Sequence, residues 1–194
     1  MGGSFNPAHE GHRHISLEAL RRLRLDELWW LVSPGNPLKS KDGMAPLAAR
    51  LGSARVMARH ARIRPTDIEA ALGTRYAVDT VRALQRRFAG VRFVWLMGAD
   101  LLPELHRWRR WRDLARLVPM VVMARPGFAG PARKAPAMAW LRRWRRPAGM
   151  AARWTQGRLP AIILLDIRQT PLSATARRAA DPDWARRFGV TRDL

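Results

Sequence analysis

Cysteine is absent from this 194-residue chain. That excludes disulfide frameworks, thiolate nucleophiles and zinc–thiolate sites. Acidic residues are scarce, 15 against 36 Lys and Arg, so the formal net charge is +21. Lysine is nearly missing as well: only Lys39, Lys41 and Lys134 are lysines, and the remaining basic residues are arginines. A charge of this size attracts polyanions such as nucleotides and nucleic acid. Arginine in place of lysine, alongside abundant Ala, Gly and Pro, also fits a GC-rich genome. No apolar run approaches the ~20 residues needed to span a bilayer. The opening residues Met1 to Pro7 lack the basic stretch and apolar core of a signal peptide. The expectation is a soluble protein of the cytoplasm, with no membrane partner. With 47% hydrophobic residues the chain can bury a core, and it reads as one domain over residues 1–194.

Strand-like and helix-like segments alternate. Leu28 to Ser33 (LWWLVS), Val91 to Met97 (VRFVWLM), Val118 to Ala124 (VPMVVMA) and Ala161 to Ile167 (AIILLDI) are short, nearly continuous apolar runs. Between them, His12 to Arg24, Ala45 to Ala61, Tyr76 to Phe88 and Trp111 to Leu117 carry apolar residues at helical spacing. Ala174 to Ala180 and Pro182 to Phe188 read as short terminal helices, and Asp67 to Leu72 is ambiguous. Strands that are apolar throughout predict an α/β fold, with a mainly parallel sheet covered by helices on both faces. Residues 128–158, rich in Pro, Arg and Trp, resist assignment and read as an insertion. One feature sits awkwardly in this pattern. A phosphate loop ordinarily follows a strand, yet only Met1-Gly2 precede the glycine turn, so the first strand is expected to be truncated or nearly absent. A start codon further upstream would supply the missing residues.

The densest motif is at the front: Gly2-Gly3-Ser4-Phe5-Asn6-Pro7-Ala8-His9-Glu10-Gly11-His12. Glycines permit a tight turn close to a phosphate. His9 and His12, three apart at a helix start, share one face. The helix start adds free N–H groups and a positive dipole end. This is a phosphate clamp that needs no metal ligand from the protein. Neither GxxxxGK[ST] nor GxGxxG is present, which removes support from P-loop and common dinucleotide-binding readings.

Gly3 to His12 resembles the phosphate loop of the nucleotidyltransferase superfamily marked by HxGH. Ser173-Ala174-Thr175-Ala176-Arg177-Arg178 resembles its C-terminal Ser-x-Thr-x-x-Arg signature. Gly98-Ala99-Asp100-Leu101-Leu102, Leu105 to Trp111, Arg125-Pro126-Gly127, Asn36-Pro37-Leu38-Lys39 and Tyr76 to Thr80 are most similar to the bacterial nicotinate-nucleotide adenylyltransferases. The resemblance implies a Rossmann-like, doubly wound fold. It also implies a reaction in which nicotinate mononucleotide and ATP, with Mg²⁺, give the dinucleotide and pyrophosphate.

The implied roles follow the motif positions. His9, His12 and Arg178 would be the catalytic groups. Gly3, Ser4, Phe5, His9, His12, Ser173, Thr175 and Arg178 would hold ATP. Lys39, Thr80, Asp100, Trp108 and Arg125 would contact the second substrate, with Trp108 stacking on the nicotinate ring and Arg107 or Arg109 meeting its carboxylate. Arg177 stands where the family usually has an apolar residue, and Ala77 where it usually has threonine. No metal ligands are expected from the protein itself.

Two other readings compete. A pantetheine-phosphate or other HxGH adenylyltransferase shares the end motifs, although the aromatic platform from Gly98 to Trp111 argues against it. A basic nucleic-acid-binding protein is suggested by the charge and by Trp140-Leu141-Arg142-Arg143-Trp144-Arg145-Arg146, but no nucleic-acid module is readable. Trp140 and Trp144, four apart, would share a helix face, which suits a surface helix packing its tryptophans inward. A homo-oligomer is compatible with the sequence.

Overall fold

The structure, a computed structural model, describes residues 1–35, 42–124, 134–167 and 174–189. The side chains of Thr175 and Ala176 are outside this description. The chain divides into two compact units. One takes in Met1–Leu20, Leu25–Arg75 and the C-terminal segment; the other takes in Arg21–Arg24 and Tyr76–Gln169.

The first unit holds a three-stranded parallel sheet in the order β1 (Gly2–Gly3), β2 (Leu28–Val32), β3 (Ile63–Thr66). Gly2 pairs with Leu31 and Gly3 with Val32. The pairing is extended by Leu31 N–H donating to Met1 O at 3.0 Å and Ser33 N–H to Gly3 O at 3.0 Å. Helices α1 (Glu10–Arg22) and α2 (Leu47–Ala58) belong with this sheet. Trp30 and Val32 are fully buried on β2, as are Ala19 on α1 and Ala54 on α2. β3 has the sequence IRPT and was not among the expected strands. Pro65 cannot donate to a ladder, and such residues are confined to edges; β3 is indeed at the sheet edge.

The second unit holds a four-stranded parallel sheet in the order β4 (Trp95–Gly98), β5 (Met120–Ala124), β7 (Ile162–Asp166), β6 (Arg145–Arg146). All five residues of β5 are buried, because the strand is paired on both edges and covered on both faces. That is what its unbroken apolar run requires. Val91 to Val94 were expected to belong to β4, but its ladder begins at Trp95 opposite Met120. The Trp95 N–H donates to Pro119 O at 2.9 Å, and Pro119 has no N–H of its own to return to the ladder. Helix α4 (Ala77–Arg87) buries Val78, Val81 and Leu84, and α5 (Trp111–Leu117) buries Leu114 and Ala115. The ambiguous stretch near Asp67 contains one short helix, α3 (Ile68–Ala71).

The α/β parallel architecture stands, with the strands assigned to two sheets rather than one. Of the 128–158 insertion, residues 134–158 are described. They form a helix at Pro136–Leu141, 3₁₀ turns at Arg142–Trp144 and Ala148–Arg153, and strand β6. Trp111 and Trp140 meet edge to face (5.3 Å between centroids), and Trp140 lies 4.1 Å from Trp144. The guanidinium groups of Arg112 and Arg116 lie over Trp140, and that of Arg143 lies over Trp144. The Trp–Arg cluster is therefore largely engaged with itself through cation–π contacts.

Packing at the C-terminus depends on a single glycine. A Cβ added at Gly52 would lie 3.2 Å from Phe188 Cβ and 3.4 Å from its carbonyl oxygen, so the helix Arg186–Gly189 sits against α2 with no room for a larger side chain. Gly52→Leu should cost about 1–3 kcal/mol, lowering Tm by roughly 3–10 °C in scanning calorimetry. An unchanged Tm would contradict this packing.

Candidate active site

The opening loop is a turn held from several sides. Phe5 is 1% exposed and adopts φ 47°, the left-handed region that costs an ordinary residue strain energy. A Cβ on Gly3 would come within 3.2 Å of the Phe5 ring, so the glycine makes room for the aromatic side chain. Phe5 stacks on Trp30 (5.1 Å, 18° between planes), and Trp30 donates its indole N–H to Ser16 Oγ at 2.7 Å. Ser16 in turn donates to the His12 carbonyl at 2.8 Å. Asn6, buried, donates through Nδ2 to Gly43 O (2.8 Å) and accepts the Ala45 N–H at Oδ1 (3.1 Å).

His9 and His12 use their spacing to cap α1 reciprocally. The Gly11 N–H donates to His9 Nδ1 at 3.1 Å, and the His9 N–H donates to His12 Nδ1 at 3.2 Å. This is the logic of a capping box, with imidazole nitrogens in place of hydroxyl and carboxylate. The two rings lie 3.8 Å apart, with Phe5 at 4.8 Å from His12. Because each Nδ1 accepts, each neutral ring is assigned its proton on Nε2. The spacing thus satisfies orphan helix donors and fixes two Nε2–H donors in one step.

The C-terminal signature reaches the same loop through its arginines. Arg178 donates through Nη1 to the Asn6 carbonyl at 2.6 Å. Arg177 turns instead to Glu10, its Nη2 within 2.7 Å of both carboxylate oxygens. That hydrogen bond holds the Glu10 carboxyl below its ordinary range. The two adjacent arginines therefore divide the work: one closes on the loop backbone, the other ties the helix Ala174–Ala180 to α1. Ser173 lies outside the described residues, as do Lys39 and Arg125. The Thr175 backbone is helical, but its side chain is outside the description.

Within the second unit, Asp100 opens a 3₁₀ helix (Ala99–Arg107) directly after β4. Gly98 leaves the space its carboxylate occupies, since a Cβ there would collide with Asp100 Oδ1. Asp100 does not cap the helix, and no hydrogen bond to its carboxylate is found among the described residues. Trp108 is half-buried and meets Trp95 edge to face (6.2 Å, 89°). Trp95 is buried, and its indole N–H finds no acceptor among the described residues. Thr80 is fully buried, and its hydroxyl donates to Tyr76 O within α4 at 3.2 Å. Arg109 lies over the Tyr76 ring at 4.7 Å.

The sequence reading missed three contributors. Arg50 and Ser53 on α2 and Asn6 in the loop bind loop backbone or its neighbours. Asn6 stood in the quoted motif without a role. Arg50 and Ser53 gave one faint signal: they are polar residues on the α2 face that packs inward.

Comparison with known proteins is consistent with this geometry. A cytidylyltransferase-like family model matches residues 1–180. A "probable nicotinate-nucleotide adenylyltransferase" of Erythrobacter litoralis is 59% identical over 190 residues, covering 97% of this chain and 86% of the relative. The chain belongs to this adenylyltransferase family. A relative with the same description in Cereibacter sphaeroides is 54% identical, covering 92% of this chain and 95% of its own. Among solved structures, the Plasmodium falciparum nicotinic acid mononucleotide adenylyltransferase shares the fold. Its complex with NaAD aligns with a TM-score of 0.67 at 15% identity, and its complex with APC with 0.65 at 14%. Each alignment covers 92% of this chain and 80% of the other.

The Glu10–Arg177 pair is about two-fifths exposed on each side, so solvent limits its worth to under about 1 kcal/mol. A depressed carboxyl contributes stability above its unfolded value and loses it as pH falls through the folded one. Glu10→Gln should therefore be slightly less stable than the parent at neutral pH, and the gap should close on acidification. A gap that widens in acid, read by urea unfolding, would contradict the assignment.

Proposed function

We propose that the chain transfers AMP from ATP to nicotinate mononucleotide, giving nicotinate adenine dinucleotide and pyrophosphate. The observation that carries this reading is the phosphate loop. It has two Nε2–H imidazoles fixed by helix capping and an arginine from the far end of the chain closing on the same backbone. The reaction needs in-line placement of two phosphates and stabilisation of leaving charge more than it needs a protein nucleophile. An oxygen of the mononucleotide phosphate bonds to the α-phosphorus of ATP as the bond to the β-phosphate oxygen breaks. The electron pair leaves with pyrophosphate. His9 and His12 donate to phosphate oxygens, and Arg178 adds a cation beside them. Gly3, Ser4 and Phe5 supply the turn, and Ser173 and Thr175 are assigned to the same phosphates by the motif.

Asp100 and Trp108 suit the second nucleotide: a carboxylate with no hydrogen bond among the described residues, at a strand end, for a ribose hydroxyl, and an indole face for a flat ring. Lys39, Thr80 and Arg125 complete that assignment by motif position, although the Thr80 hydroxyl is already engaged within α4. Among the described residues no group of three or more His, Asp or Glu could hold a metal. In this reading Mg²⁺ would arrive with ATP, and its charge would offset that of the pyrophosphate. No described helix is long and apolar enough to cross a membrane.

Pyrophosphate release from ATP and Mg²⁺ should require nicotinate mononucleotide; release driven by phosphopantetheine instead would favour the other adenylyltransferase reading. No turnover, with tight salt-sensitive nucleic-acid binding, would favour the third. His12→Ala should lower turnover by about 10²–10³-fold, the scale of losing an oxyanion donor. Arg178→Ala should impair turnover far more than Arg177→Ala; equal effects would contradict the division of labour between these arginines.

A further inference from the structure

Helix α2 carries an arginine in a place that folding alone would not favour. Arg50 is 1% exposed. No carboxylate pairs with it among the described residues, and burial pushes its guanidinium below the ordinary range. Burying an uncompensated charge is costly. Its partners are three carbonyl oxygens from three segments: Nε donates to Ala45 O at 2.8 Å, and Nη1 donates to Ser4 O at 2.8 Å and Ser33 O at 2.7 Å. Those carbonyls belong to the approach to α2, the phosphate loop and the residue after β2. Three residues further along α2, Ser53 Oγ accepts the Ala8 N–H at 3.2 Å. One helix thus grips the loop at both ends, taking a carbonyl at Ser4 and an N–H at Ala8.

The grip at Ser4 has a stereochemical consequence. In a trans peptide the carbonyl and the following N–H point in opposite directions. With the Ser4 carbonyl drawn to Arg50, the Phe5 N–H is turned away from α2. Phe5 itself holds a left-handed φ, a conformation that persists only when its surroundings impose it. We infer that Arg50 is a positioning residue for the triphosphate: it fixes the orientation of the Ser4–Phe5 peptide and supplies, behind the loop, a positive charge whose counter-charge arrives with the nucleotide. This rests on the reading that ATP is seated on this loop.

The test compares the full-length parent, Arg50→Lys and Arg50→Met. Calorimetry measures ATP and nicotinate mononucleotide binding separately, and hydrogen exchange reports on residues 4–8 without ligand. Arg50→Met should weaken ATP binding by about 10–100-fold, the scale of a lost hydrogen bond to a charged group. Mononucleotide binding should change by less than about 3-fold, and loop amides should exchange faster. Arg50→Lys keeps the charge but lacks the fork that spans separate carbonyls, so it should fall between the two. Parent-like ATP affinity and loop protection in Arg50→Met would overturn the inference, as would equal loss of both ligands. Should Arg50→Met fail to fold, Arg50→Lys decides, and parent-like ATP affinity in that variant overturns the inference. A parent that binds no ATP would instead remove the functional reading, while the exchange comparison would still test the hold on the loop.

Discussion

At the start of α1, two backbone N–H groups donate to imidazole nitrogens instead of to water or a hydroxyl. From that pair of hydrogen bonds much of the site follows. They satisfy donors that every helix leaves open, they fix the rings within 3.8 Å of each other, and they assign both protons to the nitrogens that do not cap. A histidine pair at this spacing is then a structural device, and in the proposed reaction it binds phosphate as well. Removing either ring would disturb the helix start as well as the chemistry.

The rest of the first unit serves to hold that geometry. Trp30 and Phe5 form an aromatic floor, and Ser16 links the Trp30 indole to the His12 carbonyl. Asn6 ties the loop to residues 43–45, α2 holds it at Ser4 and Ala8, and Arg178 closes on it from the C-terminal helix. These contacts span sequence separations from a few residues to 172. The strained φ at Phe5 is therefore over-determined, as strain at functional sites must be if it is to survive. The two signature motifs, front and back in the chain, meet here: the first shapes the turn, and the second brings Arg178 onto its backbone and Arg177 onto Glu10.

Much of this was legible in the sequence, for reasons that can be located. Apolar runs at 28–33, 118–124 and 161–167 predicted strands because parallel strands buried on both faces have no polar face to show. The helices α1, α2, α4 and α5 were legible from their spacing. β3 was not, because IRPT carries a proline and no alternation, and only its pairing with Leu28–Leu31 makes it a strand. The 3₁₀ helix at Ala99–Arg107 was not, because its periodicity is neither 3.6 nor 2 and Pro103 lies inside it. In the site, the histidines and the arginine pair were legible as motifs, but which arginine faces the loop depended on Glu10, a partner 167 residues away. Arg50 gave only its place on the inward face of α2: in a chain crowded with arginines, burial is what distinguishes it.

In the proposed reaction His9 and His12, held as Nε2–H donors by capping, present those protons to a triphosphate. Nitrogen-15 spectra of the histidine side chains, recorded without ligand and with ATP, test it most directly. Both rings should begin as the Nε2–H tautomer, and ATP should shift their Nε2 resonances far more than their Nδ1 resonances. Rings that carry the proton on Nδ1, or that do not respond to saturating ATP, would contradict it.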